Sequence, residues 1–385
     1  MRDRIIFLET IHTIMMHQTK FLIVCLILLC ACSNAKKEST TAKGELTSDA
    51  SLLQIEKNDQ YTKVSILDPW NKGKILHDYI LVPKDQDIPS GLPKGTVVRT
   101  PVTRALVYSS VHATVIKELG KISAISGVCD AEYFKIPEIS QGLKTGAIGN
   151  AGSSMSPTIE KIIDINPEII ILSPFQNGGY GTLTTLEIPI LECADYMEDS
   201  PIGRAEWIKL FGLLFGEEEK ANTIFENTRK EYEAAKEAVT KATNKPKVIT
   251  ETVSSGVWFV PGGDSYMARI ITDSGAIYPW ADNKETGSLQ LDFAQVLDKA
   301  HDADFWLIKS STIKTYSDLK KAYDLNDRFD AFKNKKVWVC DTQEAPLYEE
   351  FPFHPELLLK EYAAIFHPDI IGSDYKYRYY KPLSE

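Results

Sequence analysis

The chain is short of the residues that most chemistry needs. Of its six cysteines, Cys25, Cys30 and Cys32 sit near the start, which leaves Cys129, Cys193 and Cys340 for the folded part. That odd number, with no Cys-x-x-Cys pair, excludes a disulfide framework and zinc-site spacing. His77, His112, His301, His354 and His367 are scattered, with no pair four residues apart, so no dedicated zinc or manganese site is spelled out. There is no Gly-x-Ser-x-Gly elbow, phosphate loop, His-Glu-x-x-His or dinucleotide fingerprint. Gly146-Ala147-Ile148-Gly149 is too short a pattern to cradle a pyrophosphate. Neither an enzyme nor a resident cofactor is therefore expected. Positive charge is lacking too: 43 Lys and Arg stand against 53 Asp and Glu, a net charge of -10, which excludes nucleic-acid binding through phosphates. No apolar run reaches the ~20 residues of a membrane-spanning helix, and no solenoid repeat recurs.

What is present is apolar content of 43% over 385 residues, enough for two substantial cores. At the front, Met16 to Lys20 is polar and basic, and Phe21 to Ala31 is an unbroken apolar run. This has the form of the h-region of a secretory signal. Its ending, Leu29-Cys30-Ala31-Cys32, resembles the lipobox of bacterial lipoproteins. The expectation is a signal peptide over residues 1–31, lipidation at Cys32, and a Ser/Thr/Lys/Ala-rich tether over 32–60. Acyl chains contributing ~0.8 kcal/mol per buried methylene would hold the protein to the membrane on the periplasmic side of the envelope.

Hydrophobic rhythm divides the rest. Val64 to Leu67 and Tyr79 to Val82 read as short strands of an N-terminal hairpin. After Pro101 strands alternate with helices: Ala105 to Tyr108, Val111 to Leu119, Ile122 to Val128, a helix over Ile159 to Ile165, then Ile169 to Leu172 and Ile188 to Leu191. That alternation predicts α/β architecture with a parallel sheet. The uninterrupted Ile169-Ile170-Ile171-Leu172 predicts burial on both faces. Helical spacing then runs from Gly203 to about Thr243, with Glu217 to Thr243 as one long helix able to bridge two lobes. After Pro246 a second alternation begins: Val248 to Thr252, Trp258 to Val260, Ser265 to Asp273, Phe293 to Ala300, Phe305 to Ile308, Val337 to Cys340 and Glu356 to Phe366. The expected organisation is a first α/β lobe at 61–202, an interlobe helical segment at 203–243, and a second α/β lobe at 244–385.

Open α/β sheets bind ligands beyond the carboxyl ends of their strands. In the first lobe this singles out Arg104, Tyr108 and Ser109 around the first strand, Phe175 and Gln176 after the all-apolar strand, and Tyr196 after the next. Arg104 is placed to face an anionic group. In the second lobe Trp258, Tyr266, Trp280 and Phe351 occupy comparable turns. Aromatics in that number suit a large, partly planar ligand better than a sugar or a bare ion.

Three segments then carry a family resemblance. Ile159-Glu160-Lys161-Ile162-Ile163-Asp164-Ile165-Asn166-Pro167-Glu168, Pro201-Ile202-Gly203-Arg204-Ala205-Glu206-Trp207, and Pro355-Glu356-Leu357-Leu358-Leu359-Lys360-Glu361 with Ile365-Phe366-His367-Pro368-Asp369 are similar to the class III periplasmic binding proteins that serve iron-siderophore, haem and vitamin B12 importers. The resemblance spans roughly residues 97–371. It implies two Rossmann-like α/β lobes joined by a single long rigid helix, a ligand held between them, a monomer, and a surface acid on each lobe that docks to the permease of an ABC importer. Glu160 stands at the first docking position. In the second lobe the acid expected near Ala294 is missing, and Asp292 is the substitute. The implied ligand is a ferric siderophore, with cobalamin or haem as the alternatives; haem would draw its axial ligand from Tyr108, His112 or Tyr196. An envelope enzyme that processes metal chelates and a lipoprotein that only sequesters ligand are the competing readings.

Overall fold

A computed structural model of the chain describes residues 43–45 and 47–385. The signal segment, Cys32 and the start of the tether lie outside the described residues. The first element is a five-stranded sheet in sequential order: Lys43–Glu45, Leu53–Lys57, Thr62–Leu67, Ile75–Pro83 and Thr96–Thr100. The first four strands pair antiparallel, and the last runs parallel to the fourth. Asn58 makes one turn, its side-chain oxygen accepting from the backbone of Gln60 and Tyr61 at 3.0 Å each, an Asx turn that reverses the chain. Leu53 and Ile55 are buried while Gln54 and Glu56 are exposed, the period-2 signature of a half-buried strand.

This corrects two expectations. The N-terminal hairpin is part of a larger sheet, and residues 47–60 are built into the fold instead of forming a tether. The Glu206 carboxylate accepts from three successive backbone N–H groups, those of Ser48, Asp49 and Ala50, at 2.8–3.1 Å. Glu198 takes the next two, Ser51 and Leu52, at 2.8 and 2.9 Å, and also accepts from the Trp207 indole at 2.9 Å. Only glycine at 203 allows the approach, because a Cβ there would lie 2.7 Å from the Asp49 carbonyl oxygen.

Behind this sheet is a five-stranded, all-parallel sheet in the order Ile190–Glu192, Ile169–Leu172, Ala105–Val107, Ile125–Val128, Gly149–Asn150. Ala105–Val107 lies at the centre, where the winding direction reverses. Along Ile169–Leu172 alternate residues enter different cores: Ile169 and Ile171 join the main one, Ile170 and Leu172 a second one with Ile162 and Ile165. Two-sided burial is what the apolar run demands. Helix Ile159–Ile165 lies close enough to the sheet that a Cβ at Gly149 would meet Ile165 at 2.3 Å.

The second lobe is similar in alternation but differs in composition. Val248–Thr250, Phe305–Lys309 and Val337–Cys340 form a parallel sheet, with Tyr380–Pro382 antiparallel on its edge. A separate antiparallel ribbon joins Val253–Ser254, Val257–Pro261 and Ser288–Leu291. The segment around Trp258 therefore belongs to the ribbon, not to the parallel sheet.

In sequence between the two lobes come helices Pro201–Glu206, Ile208–Phe215 and Glu218–Val239. The last has 22 residues, about 33 Å at 1.5 Å per residue, and ends four residues before the expected Thr243. At its start Lys121 pairs with Glu217 and Lys57 with Glu218. Further along, the Tyr232 hydroxyl donates to Asp273 at 2.9 Å and Lys360 reaches Glu231. The helix thus contacts residues that precede it and residues of the second lobe. Among the described residues no helix is long and apolar enough to cross a membrane.

Candidate ligand-binding cleft

Open α/β sheets take their ligands in the crevice just past the carboxyl ends of the parallel strands. Past the second lobe's strands lies a cavity of about 680 Å³, a size common for small-molecule sites. Its second-lobe wall includes Glu251, Phe259, Tyr266, Lys309 and Tyr348, and its first-lobe wall Tyr196 and Met197. Ser254, Ser310 and Thr312 are also in the lining and add hydroxyl groups to it.

At the cavity floor Lys309 and Glu251 form an ion pair. Parallel pairing sets Thr250 opposite Leu307, so Glu251, just past its strand, comes level with the carboxyl end of Phe305–Lys309. The Glu251 backbone is held by two hydrogen bonds: its N–H donates to Leu307 at 2.9 Å and its carbonyl accepts from the Trp306 indole at 2.6 Å. Burial opposes charge on the Lys309 ammonium, yet the neighbouring Glu251 carboxylate overrides it, so the lysine pKa is raised and the pair is ionic.

Behind Tyr266 lies a buried polar cluster. The Arg204 guanidinium sits 5.0 Å from the Tyr266 ring centroid, and Tyr266 stacks on Phe351 at 5.9 Å. Arg204 pairs with Asp195 at 3.2 Å, and the His112 Nε2 reaches the other Asp195 oxygen at 3.0 Å. Burial acts to raise the Asp195 pKa, but His112 and Arg204 outweigh it and hold the carboxyl below its ordinary value. A first-lobe carboxylate thereby fixes the arginine that supports a second-lobe aromatic. A second tie joins the lobes at His354, whose ring nitrogens reach Glu118 at 2.9 Å and Glu356 at 3.0 Å.

The sequence-based candidates divide accordingly. Tyr196 and Tyr266 line the cavity, and Phe351 supports Tyr266 from behind. Tyr196 is oriented by its hydroxyl, which donates to the Pro174 carbonyl at 2.7 Å. Phe175, 65% exposed, and Gln176 occupy the loop past Ile169–Leu172, outside the cavity lining. Tyr108 and Ser109 follow the central strand; Ser109 caps helix Ser110–Glu118 by accepting from Val111 N–H.

Three candidates are misplaced. Arg104 precedes its strand instead of following it, and its guanidinium donates to the Ile165 and Asn166 carbonyls, capping helix Ile159–Ile165 at the far end of the sheet. Trp258 is fully buried, donating to the Thr250 carbonyl at 2.9 Å and stacked 5.6 Å from Trp306. Trp280 is buried against Tyr278. These two tryptophans build the core. Glu251, Lys309, Phe259 and Tyr348 escaped the sequence reading; the one local signal was a charge immediately after an apolar strand.

Of the three residues named as haem ligands, the Tyr108 hydroxyl and His112 Nδ1 are buried without a hydrogen-bond partner among the described residues. The Tyr108 hydroxyl is buried and burial pushes its pKa up, which disfavours a tyrosinate. His112 spends Nε2 on Asp195, and Tyr196 is committed to Pro174. Among the described residues no group of three or more His, Cys, Asp or Glu is placed to hold a metal ion.

The two proposed docking acids differ. Glu160 is exposed in the first turn of its helix. Asp292 is the N-cap of helix Phe293–Ala300: its carboxylate accepts from Gln295 N–H at 2.8 Å while the Gln295 side chain accepts from Asp292 N–H at 2.9 Å. This capping box already occupies one Asp292 oxygen.

Comparison with known proteins places this geometry. Residues 112–344 match the periplasmic binding protein family. An uncharacterized lipoprotein of Methanocaldococcus jannaschii is 28% identical over 332 residues, covering 79% of this chain and 78% of its own. Among solved structures, an ABC-type Fe3+-hydroxamate transport protein of Saccharomonospora viridis superposes with a TM-score of 0.52 at 19% identity, over 69% of this chain and 94% of that one. A periplasmic heme binding protein of Pseudomonas aeruginosa does so with a TM-score of 0.54 at 16% identity, over 70% and 94%. At such identities the likeness is one of fold, and the two cargoes differ.

Proposed function

This chain belongs to the periplasmic binding protein family, and on that premise we propose that it is the solute-binding lipoprotein of an ABC importer, capturing an iron-siderophore-type metal complex between its lobes. The observation that carries this reading is the cavity of about 680 Å³ at the carboxyl ends of the strands, walled by aromatic rings from both lobes. Rings and hydroxyls suit a bulky, partly planar metal complex. The cleft recognises that cargo without transforming it. Cys32 supplies the lipid anchor on the periplasmic side of the envelope, and Glu160, with Asp292 on the other lobe, docks to the permease.

Titration of the purified protein with ferric siderophores, haem and cobalamin, read by intrinsic fluorescence, tests the reading. Saturable quenching by a ferric siderophore is expected. Silence with all of them would sink the proposal, and a haem Soret band with no siderophore response would replace the cargo.

A further inference from the structure

The charge of the cargo can be read from the charges that face it. Of the residues lining the cavity, only two carry full charge, Lys309 and Glu251, and they are paired with each other. Cations outside the lining are engaged elsewhere, two by carboxylates and one by backbone carbonyls. Arg204 is bound to Asp195 behind Tyr266, Lys314 is bound to Asp341, and Lys135 donates to the Thr342 and Gln343 carbonyls. Arg104, the arginine expected from sequence to meet an anion, lies at the opposite end of the sheet. The chain as a whole carries -10. Moving a multiply charged anion from water into a groove of reduced dielectric is unfavourable unless fixed cations replace its hydration. Here the wall offers hydroxyls and rings, with no net positive charge among its lining residues.

Resting on the reading of the cleft as a metal-complex site, we propose that it selects complexes without net charge, a neutral ferric trihydroxamate over a trianionic ferric tris-catecholate, and that Glu251 sets this selectivity by cancelling Lys309. The arithmetic is that of the ligands: three singly charged hydroxamates balance ferric iron, whereas three doubly charged catecholates leave three negative charges. The paired Lys309 keeps ammonium hydrogens for a neutral carbonyl oxygen without presenting an open positive charge. Ser254, Ser310 and Thr312 offer hydroxyl donors of the same kind.

The test uses the full exported chain, with ferrichrome as the neutral probe and ferric enterobactin as the trianion, both followed by fluorescence quenching. Wild type is expected to bind the neutral complex at least 100-fold more tightly. Glu251→Gln uncovers the lysine charge and is expected to shrink that ratio at least tenfold. Ser254→Lys adds a cation at an exposed position on the rim and is expected to shrink it as well, which keeps the test intact if Glu251→Gln misfolds. Equal or tighter binding of the trianion by wild type, or an unchanged ratio in both variants, overturns the proposal while leaving the cleft's function standing. If neither ferric complex binds, this inference falls, and silence with haem and cobalamin as well takes the functional reading with it.

Discussion

The two lobes share a strand-helix alternation but differ at the edges that face each other. The first lobe ends five parallel strands in loops and contributes Tyr196 and Met197 to the cavity. The second has only three parallel strands, yet it adds the Val253–Leu291 ribbon and the Lys309–Glu251 pair, and so supplies most of the cavity wall. Their outer surfaces differ too, with Glu160 free and Asp292 engaged as a helix cap. The lesson is that one fold plan repeated twice can divide labour: the second lobe supplies most of the cavity wall and the first only one flank of it.

The largest expected effect breaks that division at the docking surface. Glu160→Ala is expected to abolish uptake in cells while leaving the measured Kd for the ferric complex unchanged; normal uptake would favour the sequestering reading. Next is the cavity wall. Tyr266→Ala removes a ring from the cavity and uncovers Arg204, and should weaken binding about 100-fold, equivalent to ~2.7 kcal/mol. The parallel change in the first lobe, Tyr196→Ala, removes that lobe's ring from the cavity and should cost less, about fivefold. Equal losses from the two would erase the asymmetry.

The interlobe tie at His354 sharpens the comparison through pH. Burial opposes its protonation, but Glu118 and Glu356 push its pKa up to about 10. Because the folded pKa is raised, the stabilisation is complete below the ordinary histidine pKa near 6.5 and is lost as pH rises through about 10. His354→Gln should lower stability at neutral pH by on the order of 2 kcal/mol and flatten the decline of Tm between those values. Lys117, Glu350 and Arg378 share the same recess and set the background of that profile. The smallest effect is at Asp292: alanine there removes a cap, which should cost about 1 kcal/mol, and reduce uptake less than the Glu160 change does.

Much of this fold was legible because its signals are local. Helix Ile159–Ile165 and helix Phe293–Ala300 have the bounds that apolar spacing and flanking Pro or Asp imply, and Ile169–Leu172 is a two-faced strand as its composition requires. Leu53-Gln54-Ile55-Glu56 also shows alternation, but it lies in a polar neighbourhood, and the carboxylates that hold the segment just before it, Glu198 and Glu206, lie some 150 residues away in sequence. The site was less legible. Adjacency to a strand does not say which end a residue occupies, which is why Arg104 was misplaced. An aromatic in an alternating strand faces either core or cleft, which misplaced Trp258. Lys309 and Glu251 meet only through parallel strand pairing, a contact no local pattern encodes.

Hydrogen–deuterium exchange with and without a saturating ferric trihydroxamate tests the central claim most directly. A cargo held between the lobes should slow exchange around Tyr196–Met197 and around Glu251–Phe259 and Lys309–Thr312 together, leaving the Arg104 region unchanged. Protection confined to one lobe, or found at the Arg104 end of the sheet, would contradict the account.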